Sequence, residues 1–582
     1  MLALPFRHAR HDPETRRLRR VRPWWRPRHW WWLPLIGALG VVAISSIQLG
    51  MTGSQLVGAR DDLLSGRFAV AENEFSQARD GLHNNPLLDV LRVLPPARRQ
   101  LEALGILADM GTHAARAARM GEAAIRGQDM AQLSQVGQEL RRLSADRSQI
   151  PPSGLAPPIR QAVALFDARY DQAKNVLTML PLVSRVLGNG GTDSYLVLQQ
   201  DPAELRATGG FIGSVAFLDF DHGKMRPVEP IDIEALDGRH LHRVLGVAGD
   251  PKYVAPPAPL TRVLDPGDSW ELRDENFSPD FPTTARQAEF FLARETGRRV
   301  EGVIAVDPYL VADLLSITGP VTVPQTGDVL TSQNVFETTL RRVELHRGPT
   351  PRKSFLSEAT TAVLDRLKKM PAGSWLKLAN VLQRACSSKD IQAYFDDPAA
   401  EALVSRFSCG GQVPVFRQDG LMVVDTNLNS NKDDFWITRS FSLDIQRGSG
   451  DAARHTLRIS YGPFPELEQL TTPYFDWLRL YLPSDARLVS ASGISAHQGA
   501  ELGDSVVQGW VQFASGERKE VTIVYDVPQV RMLGADRRMS LTWLKQAGRI
   551  ADPIVLRVAQ ASGDQGTTIR TDLRQDRVFV ID

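Results

Sequence analysis

The sequence predicts a multidomain α+β protein with an N-terminal transmembrane helix, a helical bundle or stalk, an α/β core and a C-terminal β-sandwich. Three observations lead to this fold class. A long uncharged apolar segment lies near the N-terminus, apolar residues then recur at helical spacing, and later they alternate with polar residues as in strands. The predicted boundaries are 1–29 for a basic tail, 30–50 for the transmembrane helix, 55–187 for the bundle, 192–410 for the α/β core and 413–582 for the sandwich.

The composition of the 582 residues excludes several classes of protein. There are 68 Lys and Arg against 67 Asp and Glu, and a net charge of +1 argues against a nucleic-acid partner bound through the overall field. Two cysteines exclude a disulfide-dense scaffold and a cysteine-rich zinc protein. The chain has no Walker loop, no nucleophile-elbow serine and no His-Glu-x-x-His pair.

The N-terminal segment has the features of a membrane anchor. The first 29 residues hold nine arginines and only two acids, and no charged residue occurs from Trp30 to Ala59. The apolar part, of about 20 residues, matches a hydrocarbon core of about 30 Å. The positive-inside rule then predicts a single-pass cell-membrane protein with a cytoplasmic N-terminus, a lipid-bilayer partner and an extracytoplasmic bulk. A signal peptide cleaved near Val57-Gly58-Ala59 is the alternative.

The following elements are predicted from periodicity. Between 55 and 187, apolar residues spaced alternately by four and three predict amphipathic helices. Strand-like runs at 195–198 and 303–306 alternate with helical segments at 283–297 and 308–317, which predicts the α/β core. From about residue 413, alternation such as that at 521–527 predicts the sandwich.

Cys386 and Cys409 are the two cysteines of the chain. In an exported protein they are predicted to form one disulfide. Two free buried thiols are the alternative. Neither cysteine has the sequence context of a catalytic Cys-His pair.

The segment 201–214 is the densest cluster of glycine and polar residues, and it lies between two predicted strands. Loops at strand ends are where α/β folds place ligands. Gly209 and Gly210 would let backbone N–H groups approach an anion, and Arg206 could hold a phosphate through a bidentate contact. The alternative is a tight turn in which Arg206 pairs with Glu204 or Asp201.

A second polar cluster spans residues 272–286. Arg273 and Arg286 could add positive charge around a bound anion. Oxygen ligands in the same cluster could hold a divalent cation. These candidate ligands are Asp274, Asn276 and Asp280. A polar loop that enters a helix is the alternative.

The segments 204–214 and 273–282 resemble the signature of a bacterial family of unknown function, domain-of-unknown-function family 4012. Gly319-Pro320-Val321 and the loop from Asn427 to Lys432 fit the same family, and the resemblance covers roughly residues 55–445. It implies a membrane-anchored protein of the cell envelope and supplies no mechanism.

The chain is more distantly similar to the LytR-CpsA-Psr phosphotransferases, which move glycopolymers from polyprenyl-pyrophosphate lipids onto the cell wall. The similarity lies in the strand that ends at Asp201, in Arg273-Asp274 and in residues 300–323. Gly209-Gly210 stands where that family has an Asp-Thr pair tied to metal binding, and Leu272 replaces a proline.

The similarity implies an envelope protein that binds or transfers a polyprenyl-(pyro)phosphate-linked glycopolymer. The residues expected around the phosphate are Arg206, Gly209, Gly210, Arg273, Asn276 and Arg286. Asp201, Glu204 or Asp274 would hold Mg²⁺ or take a proton from an attacking hydroxyl. The alternative is a non-enzymatic scaffold that binds polysaccharide or protein, which the Gly209-Gly210 replacement favours.

Overall fold

A computed structural model describes most of the chain beyond residue 49. The described segments are 50–84, 92–126, 131–157, 191–221, 224–237, 253–265, 267–342, 352–370, 375–429, 431–448, 451–462, 473–533, 538–559 and 566–581, with some single positions between 88 and 186.

The structure corrects the prediction at the N-terminus. The predicted basic tail (1–29) and all but the last residue of the predicted transmembrane helix (30–50) lie outside the described residues. Within those residues, no helix combines the length and apolar character needed to cross a membrane. This finding contradicts the transmembrane helix of the predicted fold class, the lipid-bilayer partner and the single-pass localisation. Among the described helices the reason is charge, since Arg60, Asp61 and Asp62 interrupt helix α1 (Gly50–Leu64).

The N-terminal helices pack through apolar stripes. After α1 they are α2 (Phe68–His83), α3 (Pro95–Arg126) and α4 (Ala131–Gln149). Phe75 and Leu107 are buried in the core that they share. Charged side chains occupy the outer faces, for example in the pair of Arg98 and Glu102.

A mixed sheet forms the centre of the α/β domain. Its strands are β1 (Thr192–Asp201), β2 (Phe211–Asp221), β3 (Lys224–Met225), β4 (Ile231–Asp232), β5 (Gly302–Val306) and β8 (Ile391–Phe395). They run in the order β3-β2-β1-β5-β8, and β4 also pairs with β2. β1 and β5 are parallel, while the other pairs are antiparallel.

Helices cover both faces of this sheet. Helix α6 (Phe281–Thr296) packs on the face that carries Leu196, Leu198 and Val303. The remaining helices are α5 (Ile233–Leu236), α7 (Pro308–Thr318), α8 (Val335–Leu340), α9 (Arg352–Lys368), α10 (Trp375–Ser388) and α11 (Pro398–Arg406). A small hairpin, β6 (Val321–Thr322) and β7 (Val329–Leu330), follows α7. Of these helices, α7 and α10 pack together near the opposite face of the sheet.

The C-terminal domain is a sandwich of two sheets. One sheet has the order β13-β16-β11-β10-β19-β20, and the other has the order β14-β15-β12-β9-β18-β17, with β21 paired to β18. The strands are β9 (Gly420–Val424), β10 (Arg439–Arg447), β11 (Ala453–Tyr461), β12 (Tyr474–Leu482), β13 (Arg487–Ser492), β14 (His497–Glu501), β15 (Asp504–Phe513), β16 (Lys519–Val527), β17 (Arg531–Leu533), β18 (Arg538–Leu544), β19 (Pro553–Ala559), β20 (Thr567–Asp572) and β21 (Arg577–Ile581). Alternate residues such as Leu457, Leu480 and Ile523 are fully buried between the sheets.

A disulfide joins Cys386 in α10 to Cys409 after α11. Both cysteines lie in a buried cluster with Tyr195 of β1 and Phe395 of β8. The bond therefore ties α10 to the segment that leaves the α/β domain for the sandwich.

Candidate functional site

A cavity of about 500 Å³ lies between the central sheet and helices α7 to α10. This volume is within the range of small-molecule binding sites. The helical wall is aliphatic, and its main contributors are Leu310, Leu314, Leu340, Val363, Leu367 and Leu382. The cavity is therefore suited to the hydrocarbon part of a ligand.

The sheet side of the cavity follows from strand alternation and register. Val197 pairs with Ala216 on one side and with Ile304 on the other, so these three side chains lie in a row on one face. All three line the cavity. Ala216 is the smallest of them, and its short side chain leaves space above the middle of the sheet.

One end of the cavity is polar, at the edge where β1 and β5 end. Gln199 is in register with Val306, so Asp201 and Asp307, which follow these residues, emerge at the same edge. Both line the cavity together with Lys432 from the sandwich domain. The carboxyl ends of parallel strands are the usual ligand-binding edge of α/β sheets.

Lys432 joins the two domains at this polar edge. Its Nζ lies 3.2 Å from Asp201 Oδ2 and 2.9 Å from Glu204 Oε2. Burial alone would raise the pKa of Glu204, but the charges of Lys432 and Arg206 outweigh it and lower that pKa. Glu204 is therefore an ionised partner of two cations and is not poised as a general base.

Arg206 lies behind the polar edge and is not one of the residues that line the cavity. Its side chain is 4% exposed, and it donates to Glu204 Oε1 at 2.7 Å, to Asp274 Oδ1 at 3.3 Å and to the main-chain oxygen of Asn427. Burial raises the pKa of Asp274, although Arg206 opposes that shift. The structure thus contains the alternative given in the sequence analysis, a tight turn in which Arg206 pairs with Glu204.

The backbone beside Arg206 also bonds to the sandwich domain. Asn427 N donates to Leu205 O at 2.9 Å, and Leu205 N donates to Asp434 Oδ2 at 3.0 Å. These are reciprocal contacts between the loop of the α/β domain and the loop that carries Lys432. The segment that resembles a family signature is therefore part of the interface between the two domains.

The glycines of this loop are explained by close approach of protein backbone. A Cβ at Gly210 would lie 2.2 Å from the carbonyl carbon of Asp201. Gly548 has a φ of +77°, and a Cβ there would lie 1.8 Å from the oxygen of Gly209. Asn276 donates from Nδ2 to Gly210 O at 2.7 Å. The glycines and Asn276 thus contact protein backbone, and these contacts give no support to the predicted binding of an anion by Gly209 and Gly210.

Arg273 belongs to a separate cluster of buried carboxyls. Its Nε lies 2.8 Å from Asp237 Oδ2, and it also bonds to Glu271. Burial raises the pKa of Asp237 to about 6. Burial, and then the charge of Asp237, raise the pKa of Glu295 to about 8. Arg273 is therefore an ion-pair partner of the acids in this cluster.

Arg286 lies in α6, the helix on the face opposite the cavity, with its guanidinium 5.4 Å from the ring centroid of Tyr394. Arg206, Arg273 and Arg286 thus have different partners and do not come together around a phosphate. Asp280 caps α6 through Thr283 N and accepts from Val413 N at 3.0 Å. In the described segments, no group of three or more His, Cys, Asp or Glu is arranged to hold a metal ion.

Sequence reasoning did not identify the cavity. Leu314 and Val363 follow the same helical periodicity as any core residue, so no local signal separates a cavity wall from a packed core. Asp307 offered a weak signal, because an Asp followed by Pro308 directly after a strand is typical of a helix start. Lys432 appeared only as part of a family-like loop.

Residues 190–343 match the model of a family described as a protein of unknown function (DUF4012). The match includes β1, the loop with Arg206, the segment with Arg273 and the strand that ends before Asp307, and it supports the resemblance to that family. No curated protein matches the chain.

Proposed function

We propose that this protein binds a polyprenyl (pyro)phosphate of the kind that carries a glycopolymer, with the prenyl chain in the cavity and the phosphate at the polar edge. The observation that carries this proposal is the aliphatic cavity of about 500 Å³ that ends at the carboxyl edge of the sheet. Removing hydrocarbon from water stabilises a complex by about 25 cal/mol per Å². The distant similarity to the LytR-CpsA-Psr family supports the same class of ligand.

Lys432 is the cation that would meet the phosphate. Lysine commonly binds phosphate as a point charge. The Lys432 ammonium lies between Asp201 and Glu204, and the contact with Asp201 is the longer of the two. A phosphate at the cavity end would therefore compete with Asp201 for this ammonium.

The proposal is for binding and does not include phosphoryl transfer. Transfer depends on preorganised cations that stabilise the charge of the transferred group. Arg206 is buried and neutralised by Glu204 and Asp274, and Arg273 is paired with Asp237 and Glu271.

A non-enzymatic scaffold is a second candidate, and one observation favours it. The loop with Arg206, for which the sequence left open both phosphate binding and a paired turn, bonds the α/β domain to the sandwich. A scaffold needs this interface and has no need of a ligand in the cavity.

Filling the cavity tests the proposed function. Ala216→Leu places three more carbons in the cavity, whereas Ala305→Leu adds them on the α6 face of the same sheet. Calorimetry on the full chain should show that wild type binds farnesyl phosphate. Ala216→Leu should bind it at least about tenfold more weakly, because the leucine side chain occupies the space. Ala305→Leu overpacks the core and should lose about 1–3 kcal/mol of stability while it keeps its affinity.

Circular dichroism checks that both variants remain folded. If the wild type does not bind farnesyl phosphate, or if both variants lose the same affinity, the cavity is not the binding site. Either result would favour the scaffold.

A further inference from the structure

Asp307 has a defined structural role through one of its two carboxyl oxygens. Oδ1 accepts hydrogen bonds from Tyr309 N at 2.9 Å and from Leu310 N at 3.3 Å, and so caps helix α7. The residue is 4% exposed and lines the cavity at its polar end. The cap accounts for Oδ1 and leaves Oδ2 to be explained.

Oδ2 of Asp307 is buried and has no hydrogen-bond partner among the described residues. A buried polar atom without a partner is unfavourable and uncommon. The two nearby charged groups are engaged elsewhere. Lys545 Nζ donates to Ser388 O at 2.6 Å and to Gln546 O at 3.1 Å, and Asp390 Oδ2 accepts from Ser388 Oγ.

The surroundings of Asp307 favour its neutral form. Burial and then the charge of Asp390 raise its pKa well above the ordinary range, and the α7 N–H groups and Lys545 only partly oppose them. A neutral carboxyl whose Oδ1 accepts from the helix carries its proton on Oδ2. Oδ2 is then a donor that needs an acceptor.

We propose that Asp307 is a specificity-determining residue, which donates a hydrogen bond from Oδ2 to an oxygen atom at the polar end of the bound amphiphile. The inference rests on the proposed function and narrows its ligand to one whose polar end is an acceptor, as a phosphate is. It also fixes the direction of binding, since Asp307 and Lys432 lie at the same end of the cavity.

Two substitutions separate the donor from the helix cap. Asp307→Asn keeps the capping oxygen and puts an N–H donor in the place of Oδ2. Asp307→Ser keeps an N-cap hydroxyl but cannot reach beyond the cap. Calorimetry with farnesyl phosphate on the full chain should show that Asp307→Asn binds within about threefold of wild type and that Asp307→Ser binds about tenfold more weakly.

Farnesene, which has a similar chain and no oxygen, serves as the control ligand. Its affinity, measured by displacement of a fluorescent apolar probe, should be equal in wild type and both variants, and a loss in the Ser variant would show instead that the cavity has collapsed.

Other outcomes would overturn the inference. If the Ser variant binds farnesyl phosphate as tightly as wild type does, Asp307 makes no contact with the ligand, although the proposed function stands. If Asp307→Asn binds farnesyl phosphate as weakly as Asp307→Ser does, Oδ2 acts as an acceptor and the assigned donor role is wrong. If the wild type binds neither ligand, the proposed function itself fails.

Discussion

The two faces of the central sheet are made of the same strands but are packed differently. Helix α6 fills one face, where Phe291 and Leu292 contact the strands and are at most 1% exposed. Helices α7 to α10 leave a cavity of about 500 Å³ above the other. Protein interiors seldom leave voids of this size. The closed face therefore supplies stability to the sheet, while the open face is available for a ligand.

Matched leucine truncations test whether the two faces of the sheet are packed differently. Leu292→Ala removes a fully buried side chain from α6, and Leu314→Ala removes a side chain from α7 that is 8% exposed and already borders the cavity. The new void adds its own cost only where the surroundings were closed. We expect Leu292→Ala to lower the free energy of unfolding by about 4–5 kcal/mol and Leu314→Ala to lower it by about 2–3 kcal/mol.

Urea denaturation of both variants measures these losses. Equal losses would mean that the helices of the open face collapse onto the sheet in solution, and the cavity would then lose its standing as a binding site.

The polar edge is where the open face meets the sandwich. Arg206→Ala tests how much the contacts behind this edge contribute to stability. The substitution leaves Asp274 buried without its partner and removes a bond to Asn427 O. We expect a loss of about 3 kcal/mol or more in unfolding free energy. Arg226→Ala breaks an exposed pair with Asp221 and should cost about 1 kcal/mol or less.

Farnesyl phosphate binding by folded Arg206→Ala should stay close to wild type, because Arg206 does not line the cavity. A variant that keeps its stability and loses its affinity would restore Arg206 as a phosphate ligand.

Local elements of the α/β domain are well predicted from sequence. The helices expected at 283–297 and 308–317 are α6 (Phe281–Thr296) and α7 (Pro308–Thr318), since their caps and periodicity are local signals. The strand expected at 303–306 is within β5. These features depend on residues within a few positions of each other, so the sequence contains them directly.

The candidate site depends on contacts that are distant in sequence. Arg206 meets Asn427, 221 positions away, and Lys432 meets Glu204, 228 positions away. The local sequence indicates that Arg206 either binds a phosphate or pairs with a neighbouring acid, and it does not decide between the two. The cavity lies between Ala216 on the sheet and helices from a later part of the chain. No local sequence pattern shows how far those helices lie from the sheet.

A carboxyl pair beside α6 adds a smaller, pH-dependent difference between the faces. Glu295 is near the end of α6, Asp237 follows α5, and burial raises their pKa values to about 8 and about 6. Unfolded carboxyls titrate near 4, so between about pH 5 and pH 8 the folded protein binds more protons than the unfolded chain does. The free energy of unfolding should therefore fall as the pH rises through this range.

Urea denaturation at several pH values from 5 to 8 measures that slope. Glu295→Gln cannot ionise and should make the slope shallower, while other buried carboxyls, such as Glu289 with a pKa that burial raises to about 7, keep the rest of it. Glu337→Gln, at a side chain that is 50% exposed on α8, should leave the slope unchanged. A slope as steep in Glu295→Gln as in wild type would place the responsible groups elsewhere. If Glu295→Gln makes the slope shallower, the closed face that stabilises the sheet is also a face that weakens above neutral pH, because ionising Glu295 beside Asp237 adds a second negative charge to a buried site.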